Sequence, residues 1–367
     1  MKLFVDKQWV ATSFDGNSRV NMCGRSVCPP EIKIMGTLYW LGEGCSFRTI
    51  HNVSGRVLSR VAFASFAKKF CRLIASELGP LHIRVPASTD DLRTLSAAYA
   101  KVGFPGACGS TDGVQIAWEG CPFAMRQTFS GKEKHPTVGF NVTVDPSLRI
   151  LHVSGMFAGR FNDKTKIHYD VYVQKLRNDE YKGFSYSLRD QRGVSHQENA
   201  PYLICDNGYH RWLQLMCPSK TTSNAALALW SRQLESVRKD VERCFGVMKK
   251  RFRVLKLPIL LRDVTEINDV FKTCAVLHNV LLTHDSQGNS FADQGYFRRG
   301  VQQGLPITQR RRILVNRTIR FLEAEHDFSY VGREAIVDVE VDRDFDIQRN
   351  NLAIHLFYMF QADALQL

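Results

Sequence analysis

Hydrophobic positions along the chain change their period twice. From Leu38 they recur at helical spacing. Ser46 is placed to cap a short helix through Val53, Ser54-Gly55 makes a turn, and a longer helix is predicted from about Val57 to Ile74, with Val61, Phe66, Phe70 and Ile74 on its apolar side. Another helix is predicted over about 88–101. The period then drops to two. In GSTDGVQIAW, Asp112, Val114, Ile116 and Trp118 share a face. In PTVGFNVTVD, Val138, Phe140, Val142 and Val144 share one, with polar or small residues opposite. LRILHVSGMF follows a turn at Asp145-Pro146-Ser147 and supplies a third strand of an antiparallel meander. Asn162 or Asp163 is placed to cap a helix running to about Leu176, residues 178–200 read as loop, and Tyr202–Cys205 read as a buried strand. Helical spacing returns with Trp230, Leu234, Val237, Val241, Phe245, Met248 and Phe252, and again in VFKTCAVLHNVLL and in a tail helix over 350–365.

The element order is mixed α/β after a helical start. It divides the chain into residues 1–35, with little periodicity; 36–104, helical; 105–284, carrying the strands and long helices; and 285–367, a polar Gly/Gln/Arg-rich linker with a helical tail. Two helices around a Gly-containing turn, with Arg56, Arg60, Lys68 and Lys69 on the second, have the form of a helix-turn-helix or of a plain helical hairpin. A chain of 367 residues with a formal charge of +13 can bury a large core and is suited to a polyanionic partner, nucleic acid first. Ten scattered cysteines without paired C-x-x-C spacing argue against a zinc site and for a reducing, intracellular setting, with Cys23 and Cys28 as free thiols. No apolar run approaches a membrane span.

Three carboxylates stand out by placement. Asp112 lies at the apolar parity of its strand, where an unpartnered charge is costly; Asp206 ends the strand of PYLICDNGYHRW; Glu242 sits beside Val241 on the edge of the helical stripe, flanked by Arg238 and Gly246. A glycine within a helix costs about 1 kcal/mol, so Gly246 is suited to close approach of a backbone or ligand. Taken singly, each is better explained structurally: Asp206 as an Asx turn, Asp112 as a strand-end charge and Glu242 as half of a solvated pair. Taken together they form an oxygen-ligand set for Mg²⁺ or Mn²⁺, and two such ions support in-line phosphoryl displacement. Arg126, Lys132, Lys134, Arg160, Lys249, Lys250, Arg251 and Arg253 lie near these acids in sequence and suit a phosphodiester. SGKEK lacks the P-loop spacing, GACGSTDG lacks G-x-G-x-x-G, and neither H-E-x-x-H nor G-x-S-x-G occurs; His278 reads as a core residue.

The segments GSTDG, FSGKEKHPTVGFNVTVD, GRFND, ICDNGY, RKDVERCFGVMKKRF and VLHNV, in that order over roughly residues 38–285, resemble the catalytic region of PIF/Harbinger-type DDE transposases. The tail RNNLAIHLF resembles that family's closing helix, and WLGEGCSFRTIHNVSG its helix-turn-helix segment. The resemblance implies an RNase H-like α/β core, a mixed sheet flanked by helices, behind a helix-turn-helix-like region. It implies Asp112, Asp206 and Glu242 as the catalytic and metal-binding acids, with 35 residues between the last two. Asp163 also matches a family Asp, as a supporting residue or as the rival for the second ligand. It further implies cleavage of transposon ends and their joining to target DNA, double-stranded DNA as ligand, a Myb/SANT-like accessory protein, assembly of several copies, and a nuclear location, with the cytoplasm as a second compartment. Two other readings stand beside it: a domesticated DNA-binding or adaptor protein without cleavage, and a nuclease that does not transpose.

Overall fold

The computed structural model describes residues 28–288, Asp342 and 344–362. The helices used below are α1 (Pro30–Glu43), α2 (Phe47–Val53), α3 (Arg60–Leu73), α4 (Thr89–Ala100), α5 (Asp163–Ile167), α6 (Val171–Arg177), α7 (Ala225–Arg251), α8 (Val264–Gly288) and α9 (Phe345–Gln361). The strands are β1 (Ala107–Ala117), β2 (Thr137–Val144), β3 (Ile150–Val153), β4 (Phe157–Ala158), β5 (Tyr186–Arg189), β6 (Ser195–Glu198), β7 (Tyr202–Ile204) and β8 (Leu215–Met216). Cys23 and most of the expected linker at 285–312 fall outside the described residues.

Contacts divide the chain into two compact units. Among the described residues, one takes those up to His82 with Ile116–Thr137 and Gly246–His278; the other takes Ile83–Gln115, Val138–Phe245 and those from Asn279 onward.

The first unit is built on α1–α3. Helix α1 begins at Pro30, earlier than the expected Leu38, because proline at the first turn forfeits no helical hydrogen bond. It ends at Gly44, whose φ of 62° closes the helix in the left-handed region. Ser46 caps α2 as expected, its hydroxyl accepting from the Thr49 N–H. The second helix starts at Arg60 rather than Val57. Gly55 and Arg56 are left-handed, with φ of 69° and 59°, and the first cap available after them is Ser59, which accepts from the Ala62 N–H. Arg56 is therefore in the turn and not on the helix. The buried side of α3 is Phe63, Ala67, Phe70 and Cys71, continuing to Ile74; Val61, expected on it, is 79% exposed. Thr273 of α8 donates to the Cys71 carbonyl at 2.9 Å within the same unit.

The second unit holds the sheet, ordered β3-β2-β1-β7-β8 with β4 also on β2. Strands β2 and β3 are antiparallel, whereas β7 runs parallel to β1 and β8 parallel to β7. A meander extended by parallel strands, with helices alongside, is the RNase H-like arrangement. Strand β2 is buried at every position, so its polar positions Thr137, Asn141 and Thr143 are as enclosed as its valines. The helix expected from Asn162 to Leu176 is two helices. Asn162 caps α5, and Asp170 interrupts the chain to cap α6, accepting from the Tyr172 and Val173 N–H groups. Residues 178–200, expected as loop, contain the β5–β6 hairpin. Helix α9 docks there: the Arg189 N–H donates to His355 Nδ1, and Gln348 donates to the Tyr186 hydroxyl. Along α7, Trp230, Leu234, Val237, Val241 and Met248 are buried as their spacing predicts, and so is Phe252 just past its end; Phe245, expected on the same stripe, is half-buried.

Candidate functional site

Three aspartates from separate segments come together in the second unit. Asp112 stands on β1, Asp206 follows the end of β7, and Asp163 opens α5. Two glycines permit the approach. A Cβ at Gly113 would lie 2.7 Å from Asp163 Oδ1. One at Gly208 would lie 2.9 Å from Asp206 Oδ1 and 3.4 Å from Asp163 Oδ2. Each strand acid is held by a nearby backbone amide: the Gly113 N–H donates to Asp112 Oδ1 and the Gly208 N–H to Asp206 Oδ1, both at 2.7 Å. The Asn207-Gly208 turn thus supplies the donor that orients Asp206.

Burial pushes the Asp112 carboxyl up to about 6; the Gly113 amide opposes this, the Asp206 and Asp163 charges add to it, and Arg238 opposes it. Asp206 is raised as well, by burial first, with the Gly208 amide opposing and Asp163 adding. Carboxylates crowded enough to raise one another's pKa are short of positive charge. Two side chains supply some: Lys166, itself buried, lies 3.1 Å from Asp163 Oδ1, and Arg238 lies 3.4 Å from Asp112 Oδ2.

Glu242 is on the array's edge. Its side chain is 47% exposed, and Oε1 is 2.9 Å from Arg238 Nη2. The same guanidinium bonds Glu235 at 2.9 Å, and Glu235 contributes to raising Asp206. Glu235 is a site residue absent from the sequence expectations, and Arg238, expected only as a flank of Glu242, is the cation that ties the acids together. Their signal was the i, i+3, i+4, i+7 run of Glu235, Arg238, Lys239 and Glu242, with two of its charges on the edge of an apolar stripe. The oxygen donors are of the type that hard divalent cations take. Among the described residues, however, no three His, Cys, Asp or Glu side chains are gathered closely enough to hold a metal ion as they stand.

The expected DNA-contacting residues divide by environment. Arg56, Arg60, Lys69, Arg126, Lys132, Lys134, Arg160 and Lys250 are exposed, and Arg160 lies 5.7 Å from the Phe161 ring. Lys249 and Arg251 are half-buried on α7, and burial lowers the Lys249 pKa. Lys68 is paired with Glu266 at 2.8 Å, so its charge is already partnered. Gly246 has open space where a Cβ would stand, so no neighbouring protein backbone demands it. His278 is fully buried, as the core reading had it.

No helix among the described residues is long and apolar enough to cross a membrane. No solved structure matches the chain. The ALP1-like protein of Arabidopsis thaliana is 22% identical over 255 residues, covering 67% of this chain and 59% of that protein, so the chain spans about three fifths of the relative's length. The family described as plant transposon protein matches residues 81–289, more than half of the chain and all four acids of the array. The chain belongs to this family, which is Harbinger transposase-derived and DDE-nuclease in origin.

Proposed function

We propose that the chain is a metal-dependent DNA endonuclease and strand transferase that cuts transposon ends and joins them to target DNA. The observation that carries this reading is the meeting of Asp112, Asp163 and Asp206 from three segments, with Asp112 pushed up to about 6 by burial first and by its acidic neighbours in part. Asp112 and Asp206 would hold Mg²⁺ or Mn²⁺, two ions in all, with Asp163 beside them and Glu242 completing the set. Bound there, the ions would supply Lewis-acid charge against the phosphate oxygens. The Gly113 and Gly208 amides fix the two strand carboxylates, and the flanking cations suit the phosphate backbone. Water attack on phosphorus breaks one P–O ester bond and leaves a 3′-hydroxyl; attack by that hydroxyl on a second strand exchanges one phosphodiester for another. Double-stranded DNA is the substrate, in the nucleus, with a Myb/SANT-like accessory protein and more than one copy of the chain.

A second reading has an observation of its own. Glu242 is tied to Arg238 rather than free for a cation, which favours a domesticated DNA-binding or adaptor protein. The test is the full chain with Mn²⁺ on end-labelled duplex DNA, with and without the accessory protein. Cleavage that disappears in Asp112→Asn, Asp206→Asn and Glu242→Ala supports the first reading. Duplex binding without cleavage under every condition supports the second, and cleavage unchanged in Glu242→Ala removes that residue from the site.

A further inference from the structure

Behind the acids lies a buried polar cluster that a nuclease reading alone does not require. Its centre is Asn141, in the middle of β2 and fully buried. Asn141 Nδ2 donates to Asp170 Oδ2 at 2.7 Å and to Thr111 Oγ1 at 3.0 Å, and Asn141 Oδ1 accepts from the Tyr209 hydroxyl at 2.7 Å. Its backbone N–H donates to Ser154 Oγ, and its carbonyl accepts from the Ser154 N–H. Every polar atom of the residue has a partner, and Thr111, Asp170 and Tyr209 are themselves buried.

The three side-chain partners are not scattered over the fold. Thr111 immediately precedes Asp112 on β1. Tyr209 lies three residues after Asp206, just beyond the turn that orients it. Asp170 caps α6 and ends the segment that α5 opens with Asp163. Alternation along β1 directs Thr111 to the face of Gly113, toward which Asp163 lies, and Asp112 to the other, so Asn141 holds the acid-bearing segments without bonding any acid of the array itself. A core that needed only volume would use a leucine here. Burying an amide, a carboxylate, a hydroxyl and a phenol is favourable only when all are satisfied, and their directional bonds then fix position in a way apolar contacts do not.

Resting on the nuclease reading, we propose that Asn141 is a positioning residue that sets Asp112, Asp163 and Asp206 in register with one another through Thr111, Asp170 and Tyr209. It touches neither substrate nor metal, and its effect is on the geometry into which a cation enters.

The test uses the full chain and two readouts: amide hydrogen exchange at Gly113 and Gly208 in metal-free protein, and Mn²⁺ binding by calorimetry. Tyr209→Phe deletes one hydroxyl and keeps the ring. It is expected to speed exchange at Gly208 at least tenfold and weaken Mn²⁺ binding about tenfold, with exchange in β2 and duplex-DNA affinity unchanged. Asn141→Asp sets two carboxylates against each other and should do more harm. The exchanged pair Asn141→Asp with Asp170→Asn restores donor against acceptor, and asparagine still caps α6; it is expected to recover both readouts to within threefold of the parent. Unchanged Gly208 exchange in Tyr209→Phe, or no recovery in a folded exchanged pair, overturns the proposal. Should the parent bind no Mn²⁺ that Asp206→Asn weakens, the nuclease reading fails, and hydrogen exchange still decides the role of Asn141.

Discussion

Arg238 holds Glu242 one turn away on the same helix, Nη2 to Oε1 at 2.9 Å, while its other nitrogens reach Glu235 and Asp112. One guanidinium thus neutralises part of a four-acid array and keeps the helix acid from turning inward. Replacing it by a neutral side chain removes a positive charge that any incoming cation must work against. Arg238→Gln is expected to tighten Mn²⁺ binding roughly tenfold, about 1.4 kcal/mol, and to destabilise the metal-free protein. Calorimetry and denaturant unfolding measure the two effects, and weaker Mn²⁺ binding would show that Arg238 supports the site rather than competes for it.

The raised pKa of Asp112 has a definite sign in stability. With a folded value of about 6 against an ordinary 3.8, the folded state keeps a proton that the unfolded state releases. Stability therefore falls as pH rises from about 4 to about 6 and levels off above. Asp112→Asn, which is neutral throughout, should gain about 1–3 kcal/mol over the parent at pH 7.5 and nothing at pH 4. Urea unfolding of metal-free protein at both pH values measures this, and an equal gain at both would refute the cause.

Asn279 suits a structural role. Its amide donates to the Ile150 carbonyl at 2.8 Å and its oxygen accepts from the Ile150 N–H at 2.9 Å, completing the backbone pairing of β3 from a buried helix position. Asn279→Leu leaves both groups unsatisfied and should cost about 2–4 kcal/mol. Mn²⁺ affinity should stay as in the parent where the variant is folded.

Gly246 gives a contrast. With open space at its Cβ position, Gly246→Ala should raise helix stability by roughly 1 kcal/mol. If the glycine exists so that DNA can approach α7, duplex affinity should drop in the same variant; a stabilised protein with unchanged affinity would leave the glycine without a functional reason.

Much of the array was legible because its acids break local rules. Asp112 sits at an apolar parity, and Asp206 at the mouth of an apolar strand. Asn141 was not legible. Thr137, Gly139, Asn141 and Thr143 alternate with valines and phenylalanine as the outer face of a half-solvated strand would, and only the covering helices bury them. The break at Asp170 was hidden because Ile167, Tyr172, Val173 and Leu176 keep a helical spacing across it, while a capping aspartate looks like any surface acid. The β5–β6 hairpin was missed because Ser195–Glu198 has no apolar alternation and is recruited by its partner strand. Val61 failed for a geometric reason: moving the helix start from Val57 to Arg60 did not change the period, but the face is set by Phe63, and Val61 lies about 160° round from it.

The thiol of Cys205 directly precedes Asp206, is fully enclosed, and is held in its unreactive form by burial first and then by the neighbouring Cys217 and Asp206 charges. A reagent can reach it only when β7 leaves the sheet. Its alkylation rate is therefore a clock for the opening of the strand that delivers Asp206, readable without DNA, metal or label.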